Sequence, residues 1–181
     1  TLLFAIALFG KSSPGRSSVP LKNLFELNTS DEIPSAASRL FNGGYVRLAV
    51  DDATWGVVRF AQFKTRPKDS DILHLDVWRN GVNILRDAGS YTFADQASHF
   101  KFTGTESHNT AQFDGRNQMR RVSRFLCADW ISMNSVSKVS LHDGYTCWSA
   151  SYSDSSGATH RRHIKLSSHC WIVEDTIDGF R

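Results

Sequence analysis

From residue 40 onward, apolar and polar residues alternate in short runs that glycine, asparagine and aspartate interrupt. The runs are rich in Val, Ile, Phe, Tyr and Trp, which is typical of half-buried strands: "GYVRLAV", "WGVVRFAQF", "ILHLDVW", "VNILRDAG", "TAQFDG", "CWSASYS", "HRRHIKL" and "CWIVEDTIDG". No stretch in this part sustains a helical period. The pattern predicts an all-β protein, either a sandwich or a barrel.

The clearest predicted element is a hairpin over residues 72–89. Asn80 and Gly81 separate its two strands and suit a type I′ turn, because both tolerate positive φ. A period of two places two sets of side chains on opposite faces of the first strand, namely Leu73, Leu75 and Val77, and His74, Asp76 and Trp78. The second set indicates either a mixed polar surface or a ligand-facing surface on which Trp78 stacks against a sugar.

The first residues differ from the rest because "TLLFAIALF" is apolar without alternation. It is about half as long as a membrane-spanning helix and lacks the basic flank of a signal peptide. We interpret it as the end of a buried helix, followed by a loop in "GKSSPGRSSVP". These features predict a helical piece over residues 1–30 and a β-domain over residues 31–181, each truncated.

Composition excludes some classes of protein. The 181 residues carry 21 Lys and Arg against 18 Asp and Glu, a net charge of +3, which does not predict nucleic-acid binding and supports only a mild preference for acidic partners. Cys127, Cys147 and Cys170 are odd in number and contain no CxxC pair, so we expect free core thiols and no zinc ribbon or disulfide framework.

Two residues next to predicted strands are candidate metal ligands. His108 in "ESHNTAQFDG" is predicted to lie near a strand start, and Asp87 in "RDAG" lies where a strand ends. The carboxylates of "PKDSD" precede the hairpin. An Asp/Asp/His set suits zinc and, less well, a harder cation, whereas turn capping is the alternative role for Asp87.

Three segments resemble, in their order and their residues, the carboxy-terminal β-sandwich of the heparinase II/III-like polysaccharide lyases. They are "DILHLDVWRNGVNILRDAGSYTF", "HNTAQFDGRNQMRR" and "HRRHIKLSSHCWIVEDTIDG". The resemblance covers roughly residues 44–179. Its most specific pieces are Asp-x-Gly-x-Tyr at Asp87, Gly89 and Tyr91, and His-Asn-Thr beginning at His108.

The resemblance implies a bacterial enzyme with an α/α toroid before this sandwich. Such enzymes are periplasmic or secreted and cleave an acidic polysaccharide, such as a glycosaminoglycan or an alginate-like polymer, by β-elimination. The tyrosine and asparagine of that step lie in the toroid, of which "TLLFAIALF" resembles the last helix. We therefore expect the 181-residue chain alone to be inactive. The alternative is a carbohydrate-binding or structural β-domain without catalysis.

The family's His-x-His-x-Asp motif falls on "PKDSD", so Pro67 and Asp69 stand where the family has histidines. The resemblance implies one divalent ion, zinc rather than calcium, with Asp69, Asp87 and His108 as ligands. Pro67 cannot act as a base. His74 is the candidate to replace the catalytic histidine, and a structural role is its alternative.

The remaining candidates are substrate contacts. Trp78, Tyr91 and Arg120 are predicted to contact the polysaccharide. Arg120 belongs to a group of arginines that forms either a basic rim for an anionic glycan or a solvated strand face, comprising Arg116, Arg120, Arg121 and Arg124. The four residues of "HRRH" alternate on a strand, so His160 and His163 are predicted to face opposite sides and to have surface or structural roles.

Overall fold

A computed structural model describes the backbone of residues 2–9 and residues 38–179 in full. The strands and the helix are, in chain order, β1 Leu2–Phe9, β2 Arg39–Phe41, β3 Tyr45–Ala49, β4 Thr54–Arg59, β5 Leu75–Arg79, β6 Val82–Leu85, α1 Gln96–Phe102, β7 Arg120–Ser123, β8 Leu126–Ala128, β9 Ser132–Val136, β10 Ser140–His142, β11 Tyr145–Ser153, β12 Thr159–Leu166 and β13 Cys170–Asp178. A 3-10 turn over Thr105–Ser107 follows α1.

The strands form two antiparallel sheets and a separate hairpin. The first sheet has the order β1-β13-β12-β11-β10, with β9 also paired to β11. The second sheet runs β2-β3-β4-β5-β6 in sequence order, and β7 and β8 form a two-stranded sheet. The chain is thus an antiparallel β-sandwich, as the alternating pattern and the resemblance predicted.

The core lies between the sheets, and both contribute to it. Val46, Leu48 and Leu75 come from the second sheet, and Trp148 and Ile164 come from the first; all five are almost completely buried. Contacts of this kind bury apolar area at roughly 25 cal/mol per Å², which makes the interface between the sheets the main stabilising contact.

Gly56 on β4 shows how closely the two sheets approach. A Cβ at this position would lie 2.7 Å from the indole of Trp171 on β13 and 2.5 Å from the carbonyl oxygen of Asp76. The ring of Trp171 therefore occupies space that any larger residue at position 56 would need. Glycine is required here for packing rather than for backbone conformation.

The predicted hairpin is confirmed from Leu75 onward, whereas Leu73 and His74, which were predicted as part of its first strand, lie before β5. Asn80 and Gly81 have φ values of 50° and 75°, as a type I′ turn requires, and they join β5 to β6. Leu75 and Val77 are each 1% exposed, whereas Asp76 and Trp78 on the other face are half-buried. The face that carries Asp76 and Trp78 is the outer face of the second sheet.

The N-terminal prediction is wrong in its secondary structure. Leu2–Phe9 forms a strand that pairs antiparallel with β13 along its whole length, and it is not the end of a helix. A short apolar run without alternation has no period that separates a buried strand from a buried helix, and here the edge of β13 satisfies its backbone groups. The predicted loop and the boundary near residue 30 lie outside the described residues.

Two predictions between the strands also need correction. Residues 96–102 form a short helix, α1, which begins after Asp95, whose carboxylate accepts a hydrogen bond from the Ser98 N–H at 2.9 Å. His108 does not start a strand but follows the 3-10 turn in extended backbone. "TAQF" forms only a single bridge from Phe113, across the predicted Asp-Gly turn.

The three cysteines are free. Cys127 is buried, and Cys147 and Cys170 are half-buried. Burial raises the pKa of the Cys127 thiol, so this side chain stays protonated at neutral pH and behaves as a small core residue. In the part of the chain that the structure describes, no helix has both the length and the apolar character needed to cross a bilayer.

Candidate metal and substrate site

Three side chains from separate segments converge at the end of the second sheet. His74 immediately precedes β5, Asp87 follows β6, and His108 follows the 3-10 turn. Each offers an atom able to bind a metal, and these atoms lie within 4.8 Å of one another. We refer to these three residues as the His–Asp–His cluster.

Asp87 is the centre of the cluster. Its Oδ2 lies 2.8 Å from His108 Nδ1 and 3.9 Å from His74 Nε2. Its Oδ1 accepts a hydrogen bond of 2.6 Å from the Gly89 N–H, which fixes the carboxylate on its own loop. The sequence predicted that Asp87 and His108 would meet, and the structure brings them into direct contact.

His74 is oriented by the backbone of Asn109. The Asn109 N–H donates to His74 Nδ1 at 3.0 Å, and the Asn109 side-chain amide donates to the carbonyl of Leu75 at 3.1 Å. A ring nitrogen that accepts a hydrogen bond carries no proton, so this contact assigns the proton of the neutral His74 ring to Nε2. His74 therefore presents an N–H donor toward the cluster.

His74 is neutral at physiological pH. Burial, together with the nearby His108, lowers the pKa of His74 to about 4, against the opposing effect of Asp87. The side chain is 8% exposed. The N–H of a neutral imidazole can donate a hydrogen bond to an anion at neutral pH and keep its proton.

The chain turns sharply immediately before His74. The His74 N–H bonds to the Asp71 carbonyl at 3.0 Å, and Leu73 has a φ of +62° although it is fully buried. This is the third position of a turn that usually takes glycine or asparagine, and a leucine there costs on the order of 1–3 kcal/mol. The surroundings of Leu73 hold the turn, because its N–H also donates to the Arg59 carbonyl at 2.7 Å.

The donor set of the cluster suits a zinc-type ion. Imidazole and carboxylate are zinc ligands, whereas calcium prefers oxygen ligands alone. Among the described residues, His108 Nε2 and His74 Nε2 are buried atoms without a hydrogen-bond partner. Because the Asn109 contact leaves the proton of His74 on Nε2, Asp87 and His108 are the residues that fit a metal, and His74 fits as their neighbouring donor.

Asp69, the predicted third ligand, does not belong to the cluster. Its carboxylate lies 3.4 Å from the Lys68 ammonium, and burial raises its pKa, with a further rise from neighbouring Asp71. Asp71 forms an ion pair with Arg59. The structure therefore groups His74, and not Asp69, with Asp87 and His108.

Trp78 and Tyr91, two of the predicted substrate contacts, have different surroundings. Trp78 stacks on Trp55 of β4 with the ring centroids 5.5 Å apart and the planes 5° apart, so one of its ring faces is already covered. Tyr91 is 79% exposed, has a φ of +51° and touches Phe102. Tyr91 lies on the same loop as Asp87, which makes it the more accessible aromatic ring.

Three of the four arginines of the predicted basic rim are engaged within the domain. Arg120 pairs with Asp129 at 2.7 Å on the β7–β8 hairpin, and Arg116 pairs with buried Asp154 at 2.6 Å. Arg121 donates to the carbonyls of Lys68 and Thr103. The arrangement favours the alternative that this group is a structural and solvated face, and it weakens the prediction for Arg120.

The β12 motif behaves as its alternation predicted. His160 and Arg162 face the core and are buried, whereas Arg161 and His163 point outward. Of this inward pair, Arg162 also contacts backbone next to the His–Asp–His cluster, which was not predicted from the sequence. These contacts are hydrogen bonds from Arg162 to the backbone carbonyls of Leu73 and Asn109, and no sequence motif predicts them.

One comparison with known proteins shows the family of this chain, and another shows its fold. The Heparinase II/III-like, C-terminal family matches residues 32–180. A search of the curated proteins gave no match. The fold is similar to a solved heparinase III gene product, with 20% identity and a TM-score of 0.64, over 82% of this chain and 23% of that one.

Two further solved structures share the fold. One is a mutant of the heparan sulfate lyase HepC from Pedobacter heparinus, with 18% identity and a TM-score of 0.56, over 78% of this chain and 22% of that one. The other is a heparinase III, with 17% identity and a TM-score of 0.51, over 74% of this chain and 21% of that one. This chain thus spans less than a quarter of the length of these solved proteins. From the family match over most of its residues, we conclude that the chain belongs to the heparinase II/III-like family and carries its C-terminal domain.

Proposed function

We propose that this chain is the sandwich part of a polysaccharide lyase that cleaves a uronic-acid polymer by β-elimination. The observation that carries the proposal is the His–Asp–His cluster, which lies in a domain of the heparinase II/III-like family. The similar solved structures are named as heparinases and a heparan sulfate lyase, which supports an acidic polysaccharide as substrate. We place the protein in the periplasm or outside a bacterial cell, where such polymers occur.

Asp87 and His108 are the proposed ligands of one divalent ion, zinc rather than calcium. Their nearest atoms, His108 Nδ1 and Asp87 Oδ2, lie 2.8 Å apart, which is a hydrogen bond that would give way when both residues bind the ion, and the His108 side chain is 3% exposed. When bound, such an ion supplies positive charge that can neutralise an anionic substrate group or help to order the domain.

His74 is the proposed donor to the substrate. β-Elimination requires that the sugar carboxylate be neutralised, because this makes the proton at C5 more acidic. The Nε2–H of neutral His74 is buried in the His–Asp–His cluster, so it would donate to a sugar carboxylate that enters the cluster, while the Asn109 N–H holds Nδ1. Since Pro67 stands where the family has a histidine, we assign removal of the C5 proton to the helical half that the resemblance implies.

Tyr91 is the proposed aromatic contact of the sugar chain. Its exposed ring lies four residues beyond Asp87 and offers a surface on which a sugar ring can stack. Lys68, whose ammonium lies 3.4 Å from Ser90 Oγ on the same loop and 3.4 Å from the Asp69 carboxylate, adds a hydrogen-bond donor beside it. Trp78 and Arg120 remain proposed outer contacts, with one face of Trp78 and the guanidinium of Arg120 already engaged within the domain.

An absorbance assay separates cleavage from binding. The full-length protein that contains this chain is expected to release unsaturated products that absorb in the ultraviolet from at least one uronic-acid polymer. His74→Ala should lower kcat by about 100- to 1000-fold, as loss of a donor to a developing charge does. His142→Ala is the matched control, because that histidine is 77% exposed on β10.

The alternative function has its own outcome in the same assay. Polymer binding without any rise in absorbance, across glycosaminoglycan and alginate-like substrates, would indicate a carbohydrate-binding domain without catalysis. Equal activity of His74→Ala and the wild type would remove His74 from the reaction.

A further inference from the structure

A buried ion pair links two neighbouring strands of the first sheet, β12 and β13. Arg162 on β12 lies directly opposite Asp175 on β13 and contacts it through two parallel hydrogen bonds, Nε to Oδ1 and Nη2 to Oδ2, each 2.7 Å long. Arg162 is 6% exposed. A guanidinium held in this way has a fixed plane, so its remaining N–H groups point in a set direction.

The free end of this guanidinium reaches the segments that hold the His–Asp–His cluster. Arg162 Nη1 donates to the Leu73 carbonyl at 2.5 Å and to the Asn109 carbonyl at 2.6 Å. Leu73 precedes His74, and Asn109 follows His108. One side chain of the first sheet thus contacts the neighbours of two cluster residues.

His160 contacts the same ion pair and helps to hold the Asp175 carboxylate in place. His160, which is fully buried, has its Nε2 at 2.8 Å from Asp175 Oδ1, and its ring packs edge-on against Tyr152. Asp175 therefore contacts both His160 and Arg162, which fixes the carboxylate and, through it, the guanidinium.

We propose that Arg162 is the positioning residue of the site, because it holds Leu73 and Asn109 where the Asn109 N–H meets His74 Nδ1. Leu73 adjoins His74 in the chain, and Asn109 contacts its ring. Leu73 occupies the left-handed turn before His74, and Asn109 supplies the hydrogen bond that assigns the His74 proton to Nε2. Without Arg162, both carbonyls lose a charged donor and the turn loses one of its supports. The inference builds on the proposed function, in which His74 is a donor beside a metal.

A purely structural ion pair would have a different signature. Buried ion pairs contribute little net stability compared with apolar residues of similar volume. A double variant that removes both charges, Arg162→Met with Asp175→Leu, should therefore fold. It keeps the volume of the core but leaves the Leu73 and Asn109 carbonyls without the guanidinium.

The test reads the tautomer of His74 directly. Nitrogen-15 NMR of the ring distinguishes a protonated from an unprotonated nitrogen, and the unmodified chain should show His74 with Nδ1 unprotonated and Nε2 protonated. In the double variant we expect a mixture of both tautomers, and zinc affinity lower by about 10- to 100-fold, as removal of residues that orient ligands causes. Arg162→Lys should show the same mixture of tautomers and the same loss of zinc affinity, because one ammonium cannot replace the planar, forked guanidinium.

Arg116→Met is the matched control. It removes an arginine paired with another buried carboxylate, Asp154, which hydrogen-bonds Ser156 and Ala158 rather than the cluster. It should lower stability without changing the His74 tautomer or the zinc affinity. A folded double variant that keeps the wild-type tautomer and affinity would overturn the inference. If the unmodified chain binds no zinc, the proposed metal fails, whereas the tautomer still decides the role of Arg162.

Discussion

Replacing Asp175 with asparagine is expected to lower the free energy of unfolding by about 3–5 kcal/mol at neutral pH, as removal of one partner of a buried ion pair does. The substitution leaves the buried guanidinium of Arg162 without a counter-charge and weakens the contact with His160. Asparagine keeps the size of the side chain, so the loss is not due to a cavity.

The effect depends on pH in a defined direction. Burial raises the pKa of Asp175, but hydrogen bonds from Arg162 and His160 outweigh it, so the pKa is well below its ordinary value. The ionised carboxylate therefore stabilises the fold above the unfolded pKa of about 3.9, and this contribution is lost as the pH falls through the folded value. The deficit of Asp175→Asn should accordingly be full at pH 7 and should shrink in acid below about pH 4.

Urea unfolding of both proteins across this pH range measures the effect. Asp129→Asn is the control, because Asp129 pairs with Arg120 at the surface, with side chains that are 39% and 66% exposed. An exposed pair of this kind contributes only about 0–1 kcal/mol. Equal losses in the two variants would show that the Arg162–Asp175 pair has no special importance for the fold.

Replacing His108 with alanine is expected to abolish zinc binding and the stabilisation that zinc provides. An ion that binds only the folded chain raises the free energy of unfolding by about 2.7 kcal/mol when its free concentration is 100 times its dissociation constant. A chelator should therefore lower the melting temperature of the unmodified chain. It should have no effect on His108→Ala, because that variant has no ion to lose.

The chelator comparison separates the metal from simple packing. His108→Ala also removes a hydrogen bond to Asp87, so a lower melting temperature alone would not identify an ion. Asp69→Asn should retain zinc, because Asp69 lies outside the His–Asp–His cluster. Loss of zinc in Asp69→Asn as well as in His108→Ala would restore the ligand set that the sequence predicted, with Asp69 as the third ligand, and would reject ours.

Local patterns were sufficient for much of the fold. Alternation predicted the hairpin of β5 and β6, and Asn80-Gly81 predicted its turn, because both signals arise from neighbouring residues. The strand over Leu2–Phe9 was predicted as a helix, since an apolar run carries no period and its pairing with β13 is distant in sequence. α1 was missed because a helix of two turns leaves too short a pattern to detect.

The candidate site was likewise predicted from the sequence only in part. The pairing of Asp87 with His108 followed from the family motifs, and the structure confirms the contact. His74 was predicted as a catalytic candidate and not as a neighbour of Asp87, because its place beside Asp87 depends on a left-handed Leu73 that no propensity predicts. Arg162 was assigned a structural or surface role, since its carbonyl partners lie far away in sequence and leave no signature there.

Anomalous diffraction at the zinc edge, from crystals of the protein grown with zinc, tests the central claim most directly. We expect one strong peak at about 2.0–2.2 Å from ligand atoms of Asp87 and His108. His74 Nε2 should lie close to the peak without bonding to the ion, because the hydrogen bond from the Asn109 N–H to Nδ1 keeps the ring proton on Nε2. No peak at the His–Asp–His cluster, or a peak bound by Asp69, would contradict the account.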